Sequence, residues 1–271
     1  MNADFAAAVS VPDDQIDLAR AALLYARDAY PDLDPDTHLS QLDTWAGAIR
    51  PAIGSRQHHP PFEALNDLMF DQLGFRGNDV DYDDPRNSYL NQVVERRTGL
   101  PITLSVIYLE IGWRVGLPLS GVGLPGHFIV RYDLASQVWF LDPFHRGDVL
   151  SEADCARLMQ RTAGDMLFDP VLLRPVTRRQ ILTRMLNNLR AAYLQRDMLA
   201  EAQQVMERLV EVEPREPEFA RDLGLIYFRL GAYRRAIDLL ESYFALAPGA
   251  ADAYAIRQVI LAARSEMTRW N

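Results

Sequence analysis

From Ile102 to Val115 the chain is apolar on nearly every helical face, interrupted only by Thr103, Ser105, Glu110 and Arg114. A helix of that character has to be enclosed on several sides, so the chain must build a domain around it. Pro101 suits the first helical position, where its missing N–H costs nothing. Gly116 ends the segment and Pro118 prevents its continuation. Strand-like runs follow at Ser120–Gly123, Phe128–Tyr132 and Gln137–Leu141. Sequential strands separated by turns favour an antiparallel sheet, and the expected class is α+β, with the buried helix packed on that sheet.

The flanking segments are read from apolar spacing. Residues 14–30 read as a helix stopped by Pro31, with Leu18, Ala22, Tyr25 and Ala29 on one face. A second helix runs from a cap at Asp36 or Thr37 through Ile49, and Pro51 is expected to end it. A third spans 61–73, terminated by Gly74. The segment 75–88 is polar, acidic and rich in turn residues. Its Asp81, Asp83 and Asp84 lack the Gly and terminal Glu of a calcium loop, so a solvated turn is expected. Arg86, Asn87 and Ser88 then lead into a short helix at 89–97, as caps or as ligand-contacting groups. Ser151 opens a helix over 151–162 that places Cys155 beside Leu158 and Met159, the position of a structural thiol. His58 and His59, adjacent on an irregular segment, make poor co-ligands, and no metal or cofactor is expected.

The tail obeys a different rule. Leu189 and Leu223, Tyr193 and Tyr227, Ala202 and Ala236, and Pro214 and Pro248 are each separated by the same interval of 34 residues. That period and those residue types match the tetratricopeptide repeat, a helix–turn–helix unit that buries its apolar face only by stacking. Two repeats are expected over 183–250, with a capping helix over 251–270. The expected organisation is an N-terminal helical segment (1–60) packed on a core (61–168), then a repeat domain (169–271) entered through the proline-bearing segment 169–175.

Composition excludes several classes. The single cysteine rules out an internal disulfide and a multi-Cys metal site. All 28 basic residues are Arg, which excludes Schiff-base lysine chemistry and a P-loop lysine. A net charge of −9 opposes broad contact with phosphate backbones. Arg174, Arg178, Arg179 and Arg184 form one basic cluster, whose plainest role is packing against the acidic segment Asp79–Asp84. No apolar run is long enough to span a membrane, and no secretory leader is evident; a cytoplasmic protein is expected.

His127 opens one strand and Asp142 ends the next, a context in which a carboxylate fixes the tautomer of a basic imidazole. Gly116-Leu117-Pro118, Gly126-His127-Phe128 and Leu141-Asp142-Pro143 resemble the transglutaminase-like core. Asp84 to Ser88, Arg96 to Ile102 and Leu124 to Phe128, joined to the repeats, resemble the bacterial SirB-type family, which fuses such a core to tetratricopeptide repeats. The resemblance implies a papain-like α+β core with His127 and Asp142 as base and orienting acid. It also implies a nucleophilic Cys near Pro101–Thr103, where this chain has no thiol; Cys155 follows Asp142 and does not take its role. The expectation is therefore a degenerate, non-catalytic core, a pseudoenzyme, acting through a protein or peptide partner held in the repeat groove. The alternative is a Cys-independent hydrolase or acyltransferase using His127 and Asp142 with Ser105, Thr103 or water.

Overall fold

A computed structural model describes residues 3–55, 60–134, 137–164 and 166–269. The chain divides into two compact units, Met1–Met185 and Leu186–Asn271. The first holds helices α1 (Ala3–Val9), α2 (Leu18–Ala26), α3 (Pro35–Ser55) and α4 (Phe62–Asn66), the last continuing as a π-helical turn over Asp67–Gln72. Strand β1 (Arg76–Gly77), helix α5 (Leu90–Arg96), strand β2 (Thr98–Gly99) and helix α6 (Pro101–Arg114) follow. Then come strands β3 (Leu119–Val122), β4 (Ile129–Leu134), β5 (Gln137–Asp142) and β6 (Asp148–Leu150), and helix α7 (Glu152–Ala163). Helix α8 (Arg178–Gln195) contains the division between the units, which therefore falls beyond the proline-bearing segment 169–175.

Helix α6 is the enclosed helix anticipated from its composition. Every residue from Pro101 to Gly112 is buried. Around it lie α2, α3, α4, α5, β3 and β4. The one carboxylate on its buried length is used as a fastener. Glu110 Oε1 accepts the N–H of Ala19 at 3.0 Å, tying α2 to α6. Its other oxygen pairs with Arg114, whose Nε donates to Asp43 of α3 at 2.7 Å. Burial, opposed by Arg114, leaves the Glu110 carboxyl above its ordinary value.

Strands β3 to β6 form one antiparallel sheet in chain order, with Val122 opposite Ile129, Val130 opposite Leu141 and Asp142 opposite Asp148. The fourth strand was not expected; Asp148-Val149-Leu150 is too short to carry a periodic signal. A separate parallel pair, β1 with β2, brackets α5.

Two helix boundaries differ from expectation. The helix anticipated over 14–30 is shortened, because Asp17 caps a fresh start by accepting the N–H of Arg20 at 2.9 Å. Pro51 does not end α3, which continues to Ser55. It lies on an exposed position in the last turns, where it removes only the bond to the Gly47 carbonyl. His58 and His59 lie outside the described residues.

The second unit contains the rest of α8, α9 (Leu199–Val212), α10 (Pro217–Arg229), α11 (Tyr233–Leu246) and α12 (Ala253–Arg269). The residues that define the 34-residue period are its core: Leu189, Tyr193, Ala202, Leu223, Tyr227 and Ala236 are all buried. Pro214 and Pro248 stand in exposed turns between helices. Helix α12 packs Ile256, Ile260 and Ala263 against α11, as a closing helix must.

Replacing Glu110 with Ala orphans the Ala19 N–H and leaves Arg114 one partner short. The expected cost is about 1–3 kcal/mol of unfolding free energy, read from urea denaturation. An unchanged midpoint would show that α2 does not depend on this contact.

Candidate functional site

The N-terminus of α6, the start of β4 and the end of β5 converge on one cavity of about 460 Å³, lined among others by Asp79, Tyr82, Pro101, His127, His145 and Arg161. His127 is delivered by the turn Leu124-Pro125-Gly126-His127, closed by the His127 N–H on the Leu124 carbonyl at 3.1 Å. Gly126 has φ +72°, and a Cβ there would lie 2.7 Å from the Thr162 carbonyl oxygen, so only glycine lets this turn press against α7. Arg184 of α8 clamps the turn from the other side, donating to the carbonyls of Leu124 and His127 at 2.7 Å each.

Asp142 ends β5 and turns the chain back on itself. Its Oδ1 accepts the N–H of Phe144 at 3.0 Å, capping a 3-10 turn over Pro143–His145. Gly147 (φ +77°) follows, and Asn66 donates to its carbonyl at 3.1 Å while accepting from Tyr108 of α6 at 2.8 Å. The turn is thereby tied to the enclosed helix, and it swings His145 back over the carboxylate. His127 Nε2 lies 3.0 Å from Asp142 Oδ1 and 2.9 Å from Oδ2, and His145 Nδ1 lies 2.8 Å from Oδ2. The two imidazoles stack at 5.8 Å with 22° between planes, and Phe144 meets His127 edge-on at 5.9 Å.

His127 and Asp142 are almost fully buried, whereas the His145 side chain is half exposed. Burial alone would push the Asp142 carboxyl up, but donors from His127 and His145 more than offset it and hold the group at about 2. The same hydrogen bond to Asp142 raises His145 above its ordinary value. Among the described residues nothing hydrogen-bonds to Nδ1 of His127, so the ring keeps one nitrogen free beside the cavity it lines.

The remaining sequence candidates are placed elsewhere. Thr103 donates its hydroxyl to the Asn87 carbonyl at 2.9 Å and accepts the Leu100 N–H at 2.9 Å, which commits it to the start of α6. Ser105 is fully buried with no partner for its hydroxyl. Neither hydroxyl hydrogen-bonds to His127, so the structure does not bring the expected Ser or Thr nucleophile to the base. Asn87 is also fully buried: its amide donates to the carbonyls of Asp81 (2.7 Å) and Tyr82 (3.2 Å), holding the acidic segment as a folded loop. Ser88 is buried, and its carbonyl accepts the Tyr25 hydroxyl at 2.8 Å. Arg86 pairs with Asp84 at 2.7 Å. This trio builds the loop rather than lining the cavity.

Cys155 sits in an apolar cluster with Val122, Leu124, Ile129, Phe140 and Leu158, and burial away from water pushes its thiol up to about 12. The basic cluster does not pack as expected against the acidic loop as a whole. Arg178 and Arg179 instead donate to carbonyls at the end of α1 and just before α2, Arg179 to Val9 at 2.9 Å and Arg178 to Ile16 at 2.5 Å. Sequence reading missed His145 and the clamping role of Arg184. The first had a signal in Asp142-Pro143-Phe144-His145, where a capping Asp and a 3-10 turn bring i and i+3 together; the second had none.

His127, Asp142 and His145 each offer one metal-ligating atom, and these atoms lie within 4.8 Å of one another. Among the described residues no helix is long and apolar enough to cross a membrane.

Residues 36–187 match the transglutaminase-like superfamily core, and residues 189–260 match a tetratricopeptide repeat. The UPF0162 protein of Xylella fastidiosa (strain Temecula1) is 38% identical over 244 residues, covering 88% of this chain and 87% of that protein. The UPF0162 protein of Vibrio cholerae is 28% identical over 187 residues, covering 68% of this chain and 69% of that protein. F-box only protein 21 of Homo sapiens is 28% identical over 208 residues, which cover 69% of this chain but 32% of that longer protein.

The charge pattern predicts opposite pH limits for Asp142 and His145. The depressed carboxylate contributes stability above its unfolded value near pH 4, about 2 kcal/mol, lost as pH falls through about 2. The raised imidazole of His145 contributes below about pH 6.5, and that contribution is lost as pH rises through its folded value. Thermal melts across pH in chelator should therefore show His145→Ala losing stability against wild type in acid and converging with it in alkali. A pH-independent difference would contradict the assignment.

Proposed function

The chain belongs to the UPF0162 family of the transglutaminase-like superfamily and carries tetratricopeptide repeats, and on that premise we propose a protein-interaction role with a core devoid of thiol chemistry. The repeats dock a protein or peptide partner, and the core is a degenerate transglutaminase-like scaffold. The observation that carries this reading is what stands beside the base. Pro101, at the N-terminus of α6, lines the same cavity as His127, where a helix-terminal thiolate would be lowered in pKa and made reactive. The only thiol of the chain is in a separate apolar cluster and protonated at neutral pH.

The repeat unit has surface to spend on a partner. Tyr254 and Leu261, two turns apart on α12, are exposed at 78% and 57%. Once a partner is captured and identified, titration of the purified pair should give a defined stoichiometry. The double change Tyr254→Ala with Leu261→Ala should weaken it at least about tenfold with helical circular dichroism intact. Unchanged binding would rule out this face, and the absence of any reproducible partner would rule out the reading.

A second reading rests on the intact pair. With Asp142 on Nε2, a His127 whose Nδ1 is free beside a cavity can accept a proton from a water there, without a covalent intermediate. Ester or amide hydrolysis by the wild type should then fall at least about 100-fold in His127→Gln and persist in Cys155→Ala. Hydrolysis surviving in His127→Gln excludes this role.

A further inference from the structure

We propose that His127, Asp142 and His145 bind a divalent transition-metal ion of the zinc class, at the edge of the cavity that the two histidines line. This goes beyond partner docking and stands or falls independently of it.

The argument begins with convergence. Two imidazole nitrogens aim at one oxygen, Asp142 Oδ2, at 2.9 and 2.8 Å, while Oδ1 is held by the Phe144 N–H at 3.0 Å. A backbone donor that pins one carboxylate oxygen and leaves the other to face the ligand is how metal-binding carboxylates are oriented. Ligands about 2.0–2.2 Å from a tetrahedral ion stand roughly 3.3 Å apart. Reaching that spacing takes an opening of the two contacts by about half an ångström and an approach of the two imidazole nitrogens, which with the carboxylate oxygen lie within 4.8 Å of one another. His145, half exposed on a short turn, can make that adjustment. His127 cannot move far, because Arg184 holds its carbonyl.

The donor set decides the class of ion. Two imidazoles and one carboxylate match a catalytic-type zinc site, in which a fourth position is left to water or another ligand. They offer too few oxygens for calcium or magnesium. Two of the three ligands, His127 and His145, line a cavity of about 460 Å³ that Asp79 also lines, so a cation reaching the histidines has a solvent path with a second carboxylate along it. Binding needs no redox partner: each ligating nitrogen gives up its N–H, and a neutral ring takes the proton on its other nitrogen. Without the ion, a hydrogen-bonded triad satisfies the same buried groups, which explains how the site is held together when empty.

The test uses the full chain, stripped with chelator and titrated with Zn²⁺ in a calorimeter, and with Co²⁺ followed by its visible ligand-field absorption. One saturable site is expected. His145→Ala, which changes a half-exposed side chain, should weaken binding at least about tenfold and remove the Co²⁺ bands. Asp142→Asn should do the same, with its fold checked by circular dichroism. Changing His58 and His59 to Ala should leave the affinity unaltered. No saturable Zn²⁺ binding by wild type, undiminished affinity in His145→Ala, or loss of the site in the His58/His59 variant would each overturn the proposal.

Discussion

The enclosure of α6 is the constraint to which the first unit answers. Its apolar surface runs around the helix, so neighbours must be supplied on several sides, and α2, α3, α4, α5 and the sheet supply them. Its polar atoms are then used for attachment. Glu110 fastens α2, Thr103 fastens the loop ending at Asn87, and Tyr108 reaches Asn66 and through it the turn after β5. The cavity follows from this arrangement, because the N-terminus of α6 is where the loop, the His127 turn and the Asp142 turn meet.

Within the cavity the governing object is a buried carboxylate. Asp142 is expensive to ionise away from water, and it stays ionised because a backbone N–H and two imidazoles donate to it. The same three contacts orient His127, hold His145 and leave a nitrogen of His127 unpaired beside open space. A base with a fixed tautomer, a docking scaffold without a thiol and a metal triad all draw on this one geometry.

Much of this was legible residue by residue. The antiparallel strands, the cap at Ser151, Pro101 at the head of α6 and the 34-residue period followed from local rules, and the repeat positions are the buried ones. The misreadings share a cause. Pro51 was read by its propensity, yet a proline on an exposed last turn costs only one hydrogen bond. Arg178 and Arg179 were read by their charge, yet their guanidinium groups are spent on backbone carbonyls. Arg86, Asn87 and Ser88 were read as caps or ligand contacts, and Asn87 proved to be the internal fastener of a loop.

By itself the sequence determined the two architectures and their order, because helix periodicity, apolar enclosure and repeat spacing are written within tens of residues. It also determined that no thiol follows Leu100, that His127 comes just ahead of one strand and that Asp142 ends the next. Only the tertiary structure decided that these two touch, that His145 joins them, that Arg184 locks the turn and that Thr103 and Ser105 are kept from the base. Those facts depend on where strands, turns and a distant helix meet in space, and side-chain partnership across such distances leaves no periodic trace along the chain.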